Sequence, residues 1–200
     1  MPDISPTLVK ELREKTNAGM MDCKRALDET SGDMVKAEEL LRKKGIASAS
    51  KRASRTAREG IIASYIHLQG KVGVLVEINC ETDFVAKNDV FREFVKDITL
   101  HIAASHPLYV SREQVPETLV QAEREIYAAQ VTGKPANIVD KIVDGKMDKF
   151  FSTVCLLEQA FIKNPDLTIK DFVNSKIAEL GENIVIRRFT RYMVGEDPSS

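Results

Sequence analysis

The sequence predicts an α+β protein, in which a small N-terminal three-helix module precedes a core built from a small antiparallel sheet, packed helices and a helical hairpin. Three observations predict it. Apolar residues recur at helical spacing over the first 45 positions. The period then changes to two through Ile62–Cys80, and again through Ile184–Val194. Helical patterns fill the interval between these runs, so the last strand is expected to return to the early hairpin and close its sheet.

In the first module, Ser5 before Pro6 makes an N-cap and N1 pair, and Leu8, Val9 and Leu12 line one face until Thr16-Asn17-Ala18-Gly19 breaks the run. Met20, Cys23 and Leu27 fall at i, i+3 and i+7 of a second helix. Adjacent residues on a helix cannot face the same way, so one of Met20 and Met21 is expected to pack and the other to be exposed. Asp33 caps a third helix that buries Ala37, Leu40 and Leu41, and Arg42-Lys43-Lys44 followed by Gly45 reads as its C-terminal end. The stretch IASASKRASRTAR, positions 46–58, reads as a basic linker, helical in part. Its clustered charge also suits a nucleic-acid arm, although no aromatic is interleaved for stacking.

Ile62, Ser64, Ile66 and Leu68 share one face of a strand, Gln69-Gly70 signals a turn, and Val72, Val74, Val76, Ile78 and Cys80 share one face of the next strand. The junction CETDFVAKND follows, and Asn88 is expected to cap a helix bearing Phe91, Phe94, Val95, Ile98 and Ile102. Ser111 and Gln114 read as a capping box for the next helix, which runs toward Gly133; another begins at Pro135. Asn164-Pro165-Asp166 reads as a turn, Thr168 as the cap of a helix carrying Phe172, Val173, Ile177 and Leu180, and Gly181 as its end. The expected division is 1–45 for the helical module, 46–58 for the linker, 59–195 for the core with its helical insertion, and 196–200 for a frayed tail.

Composition narrows function. A chain of 200 residues with 43% hydrophobic content can bury a real core. Lys+Arg 29 against Asp+Glu 30 leaves a formal charge of −1, so no global field draws it to nucleic acid or anionic lipid. The three cysteines are far apart and form no C-x-x-C, which argues against a disulfide framework or zinc site and fits a reducing cytoplasm. No basic and apolar leader opens the sequence, and no segment reaches the ~18 uninterrupted apolar residues of a membrane span. Phosphate-cradling and nucleophile-elbow motifs are absent. His67, His101 and His106 read as surface or capping histidines, and Glu81 with Asp83 as solvated carboxylates. No cofactor and no metal site is expected. The junction raises a question of its own, because turn chemistry alone would prefer Gly, Asn or Ser where Phe84 stands beside Asp83. The residues leave two arrangements open: a ring packed beneath the hairpin, or a ring presented to a partner.

Two stretches carry a resemblance. Leu12-Arg13 with Thr16-Asn17-Ala18-Gly19-Met20-Met21-Asp22-Cys23-Lys24-Arg25-Ala26-Leu27, and Asn79-Cys80-Glu81-Thr82-Asp83-Phe84-Val85-Ala86, resemble the two signatures of bacterial elongation factor Ts, in its short, single-core form. HIAAS at 101–105 and the later GKP, GKMDKF and RRFTRYMVGE stretches are similar to that family too. Where the first signature usually has Gly, this chain has Asn17, which tolerates the left-handed conformation. The resemblance implies a UBA-like first module and a non-enzymatic translation factor in the cytoplasm. That factor would bind elongation factor Tu and promote GDP release, allowing GTP to reload. It implies that Thr82, Asp83, Phe84 and Val85 disturb the partner's nucleotide and magnesium site, and that Arg13, Met20 and Met21 dock on the same partner domain. It also implies that short forms can pair through their sheets into homodimers, here without a cysteine near the last strand to lock them, and that neither nucleic acid nor membrane is a direct partner. Two other classes remain: a nucleic-acid binder using positions 42–58, and a small enzyme using Glu81, Asp83 and a histidine.

Overall fold

The computed structural model describes residues 4–16, 18–131 and 135–196. Asn17 and the 133–134 part of the GKP stretch therefore lie outside the described residues, as do the first three positions and the end of the tail.

The first module is α1 (Pro6–Thr16), α2 (Met20–Glu29) and the first half of α3 (Met34–Arg52). Ser5 caps α1 by accepting from Leu8 N–H at 3.2 Å, and Asp33 caps α3 by accepting from Lys36 N–H at 3.1 Å. Val9, Leu12, Cys23, Ala26, Leu27, Ala37 and Leu41 form its own small core. Met20 is not part of that core, which α2 reaches through Cys23, Ala26 and Leu27 instead. The expected stop at Gly45 does not occur. Leu41, Gly45 and Ala49 follow one another at i, i+4 and i+8 on the buried side of α3. There α3 packs on a later helix, the backbone oxygen of Asn174 lying 3.7 Å from where a Cβ on Gly45 would stand. Tertiary packing thus overrides the capping signal, and the helix crosses half of the expected linker before it ends.

The sheet has the order β1 (Glu59–His67), β2 (Val72–Cys80), β5 (Val185–Met193), with both pairings antiparallel. Central β2 buries Val72, Val74, Val76, Ile78 and Cys80. On β1 the residues turned to the core are Ile61, Ala63 and Tyr65; Ile62 and Ile66 are on the outer face, exposed. Gly60 has φ +140, and a Cβ there would stand 2.2 Å from the Ile78 carbonyl oxygen, so only glycine fits. A bulge between Glu77 and Ile78 shifts the β2–β5 register, so that Glu77 faces Arg188 while Ile78 faces Ile186.

Between β2 and β5 come α4 (Asp83–Ala86), α5 (Asp89–Ser105), α6 (Glu117–Ala129), α7 (Ala136–Val154), the short hairpin β3 (Ala160–Phe161) and β4 (Asn164–Thr168), and α8 (Ile169–Leu180). Helix α5 lays Phe91, Phe94, Val95, Ile98 and Ile102 into the core beneath the sheet, and α8 adds Ile169, Phe172, Val173 and Ile177. The Phe172 ring lies 5.2 Å from Phe94 and 4.6 Å from Phe161, centroid to centroid. His101 is completely buried, which corrects its reading as a surface or capping residue. Its Nδ1 accepts from Ile162 N–H at 3.3 Å, so Nε2–H donates to Gln159 Oε1 at 2.9 Å and the ring is neutral. His106 does cap α5, at φ 48.

The helical hairpin α6–α7 has a separate core of Val115, Val143, Met147, Phe151 and Cys155. The capping box expected from Ser111 and Gln114 is not formed: Gln114 Oε1 accepts from Val110 N–H at 3.0 Å, and α6 begins after Pro116. At the base of the hairpin Arg112 pairs with Glu158, reaches Asp148 at 3.0 Å and lies 4.5 Å from the Phe151 ring centre. Asn164 opens β4 rather than a turn, the turn falling at Ile162–Lys163. Its Oδ1 accepts from Asp166 N–H at 3.3 Å while Nδ2 donates to the Lys15 carbonyl at 2.8 Å, joining this hairpin to α1. Among the described residues no helix is long and apolar enough to cross a membrane.

Candidate functional site

The junction after β2 is a single helical turn held at both ends. Thr82 caps α4, its hydroxyl accepting from Val85 N–H at 3.3 Å, and Asn88 caps α5, accepting from Val90 N–H at 2.8 Å. Successive residues on a helix point about 100° apart. Val85 and Ala86 therefore turn into the core, while Phe84 turns out, with 78% of its surface exposed. That answers which way the ring faces. Asp83 beside it is also exposed and pairs with Lys87 at 2.7 Å, and the hydrogen bond from Lys87 holds its carboxyl below the usual range. The neighbouring Cys80 thiol is pushed up to about 11 by burial and donates to the Thr82 carbonyl at 3.1 Å, so it has no thiolate to offer at neutral pH.

The turn is anchored by residues a hundred positions later. Glu182 accepts from the backbone N–H of Glu81 at 3.0 Å and of Thr82 at 3.1 Å, and from the Thr82 hydroxyl at 2.6 Å. Glu81 returns the contact, accepting from Asn183 N–H at 2.6 Å with Arg55 3.6 Å away. Asn183 is buried and its amide donates to the Arg55 carbonyl at 2.9 Å. Sequence reasoning did not single out Glu182, Asn183 or this use of Arg55. Gly181 signalled only the end of a helix, and nothing local links it to position 82.

Arg13, Met20 and Met21 are all exposed on the helical module, the two methionines at 57% and 65%, so neither packs inward as expected for one of them. Arg13 makes no ion pair among the described residues. Among the described residues no histidine joins Glu81 and Asp83. His67 pairs with Val72 at the far end of the hairpin from Cys80 and bonds to Tyr65, His101 is buried against Gln159, and His106 faces Glu196. The basic stretch is partly consumed internally, since Arg52 donates to the Gly181 carbonyl at 2.8 Å and Arg55 faces Glu81. Among the described residues no cluster of three or more His, Cys, Asp or Glu could hold a metal ion.

The family model described as elongation factor TS matches residues 48–196. The chain is 60% identical to elongation factor Ts of Carboxydothermus hydrogenoformans over 96% of its length and 90% of that relative. It is 57% identical to the Geotalea daltonii factor, with the same shares covered. It is also 57% identical to the factor of Thermoanaerobacter sp. (strain X514), over 96% of both chains. On these matches, and on a fold that carries both signature stretches, the chain belongs to the elongation factor Ts family.

Proposed function

We propose that this translation elongation factor is a guanine-nucleotide exchange factor: it binds elongation factor Tu in its GDP form and promotes GDP release through Thr82, Asp83, Phe84 and Val85. The observation that carries this reading is Phe84, a large apolar ring held out into solvent at 78% exposure on a capped turn. Folding gains little from such a ring, whereas a partner that receives it gains a buried aromatic. The mechanism is linkage. A protein that binds the nucleotide-free partner better than the GDP-bound one must weaken GDP by the same factor. A ~10⁴-fold effect requires about 5.5 kcal/mol of differential affinity. Burying one Phe supplies roughly 1.5–3 kcal/mol, so disturbance of the partner's magnesium ligands supplies much of the rest. No covalent step is involved, and neither enzyme chemistry nor a nucleic-acid partner enters.

In this reading residues 1–45 are the docking module, with Arg13, Met20 and Met21 as its contacts, residues 59–195 are the working core, and the protein acts in the cytoplasm. Their exposure supports the docking role. A homodimer through the outer sheet face belongs to the same proposal, supported by the exposed Ile62, Ile66, Leu75 and Tyr192 there. The test is stopped-flow release of fluorescent GDP from elongation factor Tu with and without this protein. Release should accelerate with its concentration and saturate; an unchanged rate at every concentration refutes the proposal.

A further inference from the structure

We propose that Glu182 is a positioning residue for exchange: its carboxylate holds the Thr82–Val85 turn in the orientation that presents Phe84, a role that rests on the reading above, in which Phe84 enters the partner as a wedge. A four-residue helix does not hold itself together, because nucleating a turn fixes several dihedrals for one hydrogen bond. Its order must be supplied from outside. Glu182 supplies it with an unusually matched set of contacts. Three donors converge on its two oxygens, Glu81 N–H and Thr82 N–H on Oε2 and the Thr82 hydroxyl on Oε1. An ionised carboxylate is acceptor-only and suits three donors, whereas a carboxamide would turn an NH₂ toward one of them.

The hydroxyl contact matters most. Thr82 has a single hydroxyl proton; by giving it to Glu182 at 2.6 Å the oxygen keeps its lone pairs for Val85 N–H, the bond that caps the turn. The carboxylate therefore sets the direction of the cap as well as the position of the chain. Glu182 is itself fixed. It follows Gly181, the left-handed end of α8 at φ 76, whose carbonyl accepts from Arg52 of α3 at 2.8 Å. Asn183 next to it is buried and bonded to Glu81 and Arg55. The orientation of Phe84 is thus imposed by the end of α8 and, through Arg52, by α3.

The experiment uses the full chain with elongation factor Tu loaded with fluorescent GDP, and compares Glu182→Ala, Glu182→Gln, Phe84→Ala and the Glu182→Ala/Phe84→Ala double variant. Docking elsewhere saturates the complex, so the maximal release rate reads the fraction with the wedge seated; about a ten-fold loss is expected for Glu182→Ala if that fraction falls to roughly a tenth. Glu182→Gln, keeping one acceptor oxygen, should lose less, and the half-saturating concentration should stay within about two-fold for both variants. If Glu182 acts through Phe84, the double variant is no slower than Phe84→Ala. Amide exchange of Glu81, Thr82 and Val85 should quicken in Glu182→Ala while α5 keeps its protection, a local signature that general destabilisation would not give. Slowed release in Phe84→Ala with normal release in Glu182→Ala would overturn the positioning role and leave the wedge standing. Additive losses would overturn it by making Glu182 a direct contact. If Phe84→Ala releases GDP normally, the wedge reading falls, and unchanged protection at Glu81 and Thr82 would then overturn the anchor as well.

Discussion

At the scale of single residues, exposure separates the phenylalanine proposed to meet a partner from those that build the core. Phe84 is mostly in solvent while Phe91, only seven positions on, is completely buried. Phe84→Ala should leave the thermal midpoint nearly unchanged and sharply reduce GDP release, whereas Phe91→Ala should cost about 3–5 kcal/mol through lost transfer energy and the cavity left behind. Paired melting curves and release rates check both. A destabilised Phe84→Ala whose folded fraction exchanges normally would make the ring a structural plug. His101 gives a pH signature. Burial lowers its pKa in the folded state, against hydrogen bonding by Gln159, which raises it. Below its unfolded pKa of roughly 6.5 the unfolded chain binds a proton that the folded chain refuses. Its contribution to stability is therefore intact above that pH and declines as pH falls toward the folded value. Urea midpoints measured at stepwise pH between neutral and mildly acid should fall more steeply for the native chain than for His101→Gln, and parallel slopes would exclude the effect. His101 also marks a limit of the sequence: an isolated histidine on an α5 stripe gives no hint that Gln159 and Ile162 will complete its bonding.

At the scale of elements, local signals were readable wherever the deciding contact was local. Asn88, Asp33 and Thr168 cap the helices they were expected to cap, because a cap bonds two or three residues ahead. The alternation of β2 predicts its buried face for the same reason. The readings that failed depend on distant neighbours. Gly45 reads as a helix end, whereas the helix continues because α8, more than a hundred positions on, packs against it. The Glu182–Thr82 contact joins residues 100 apart in sequence, beyond any periodicity or motif. Two glycines test this difference. Gly45→Ala replaces a helical glycine where a Cβ makes only ordinary contact, and should stabilise the chain by about 0.5–1 kcal/mol. Gly60→Ala must clash with the Ile78 carbonyl and should destabilise by more than that, since its backbone also has to move. Denaturant titration of the two variants should shift the midpoints in opposite directions, and shifts of the same sign would contradict this account of the α3–α8 contact or of the β1 edge.

For the whole molecule, the α+β architecture was legible because the period changes along the chain are strong, while the short β3–β4 hairpin was missed because two and five residues carry too little pattern. Among the described residues nothing covers the outer face of the sheet. Across the strands Ile62 faces Glu77 and then Arg188, with that last pair ion-bonded at 2.7 Å; Ile66 faces Gly73 and then Tyr192. Such a mixed apolar and paired-charge face suits a second copy by two-fold symmetry, in which every contact is made twice. Sedimentation should show a concentration-dependent dimer at micromolar levels that Ile62→Lys with Ile66→Lys converts to monomer, and a monomer at all concentrations would exclude it. The unbroken course of α3 has a different consequence, for how this protein can vary in length. Because one helix belongs to the module proposed to dock and also packs on α8 beside Glu182, the two surfaces share a rotational phase. A single residue added between Arg42 and Ala49 would advance one surface by about 1.5 Å and swing it by about 100° relative to the other. Loops such as Leu68–Gly70 can absorb insertions, but this segment has a frame: only lengths close to a whole number of helical turns, such as about seven or about eleven residues, would bring both surfaces back to the same side.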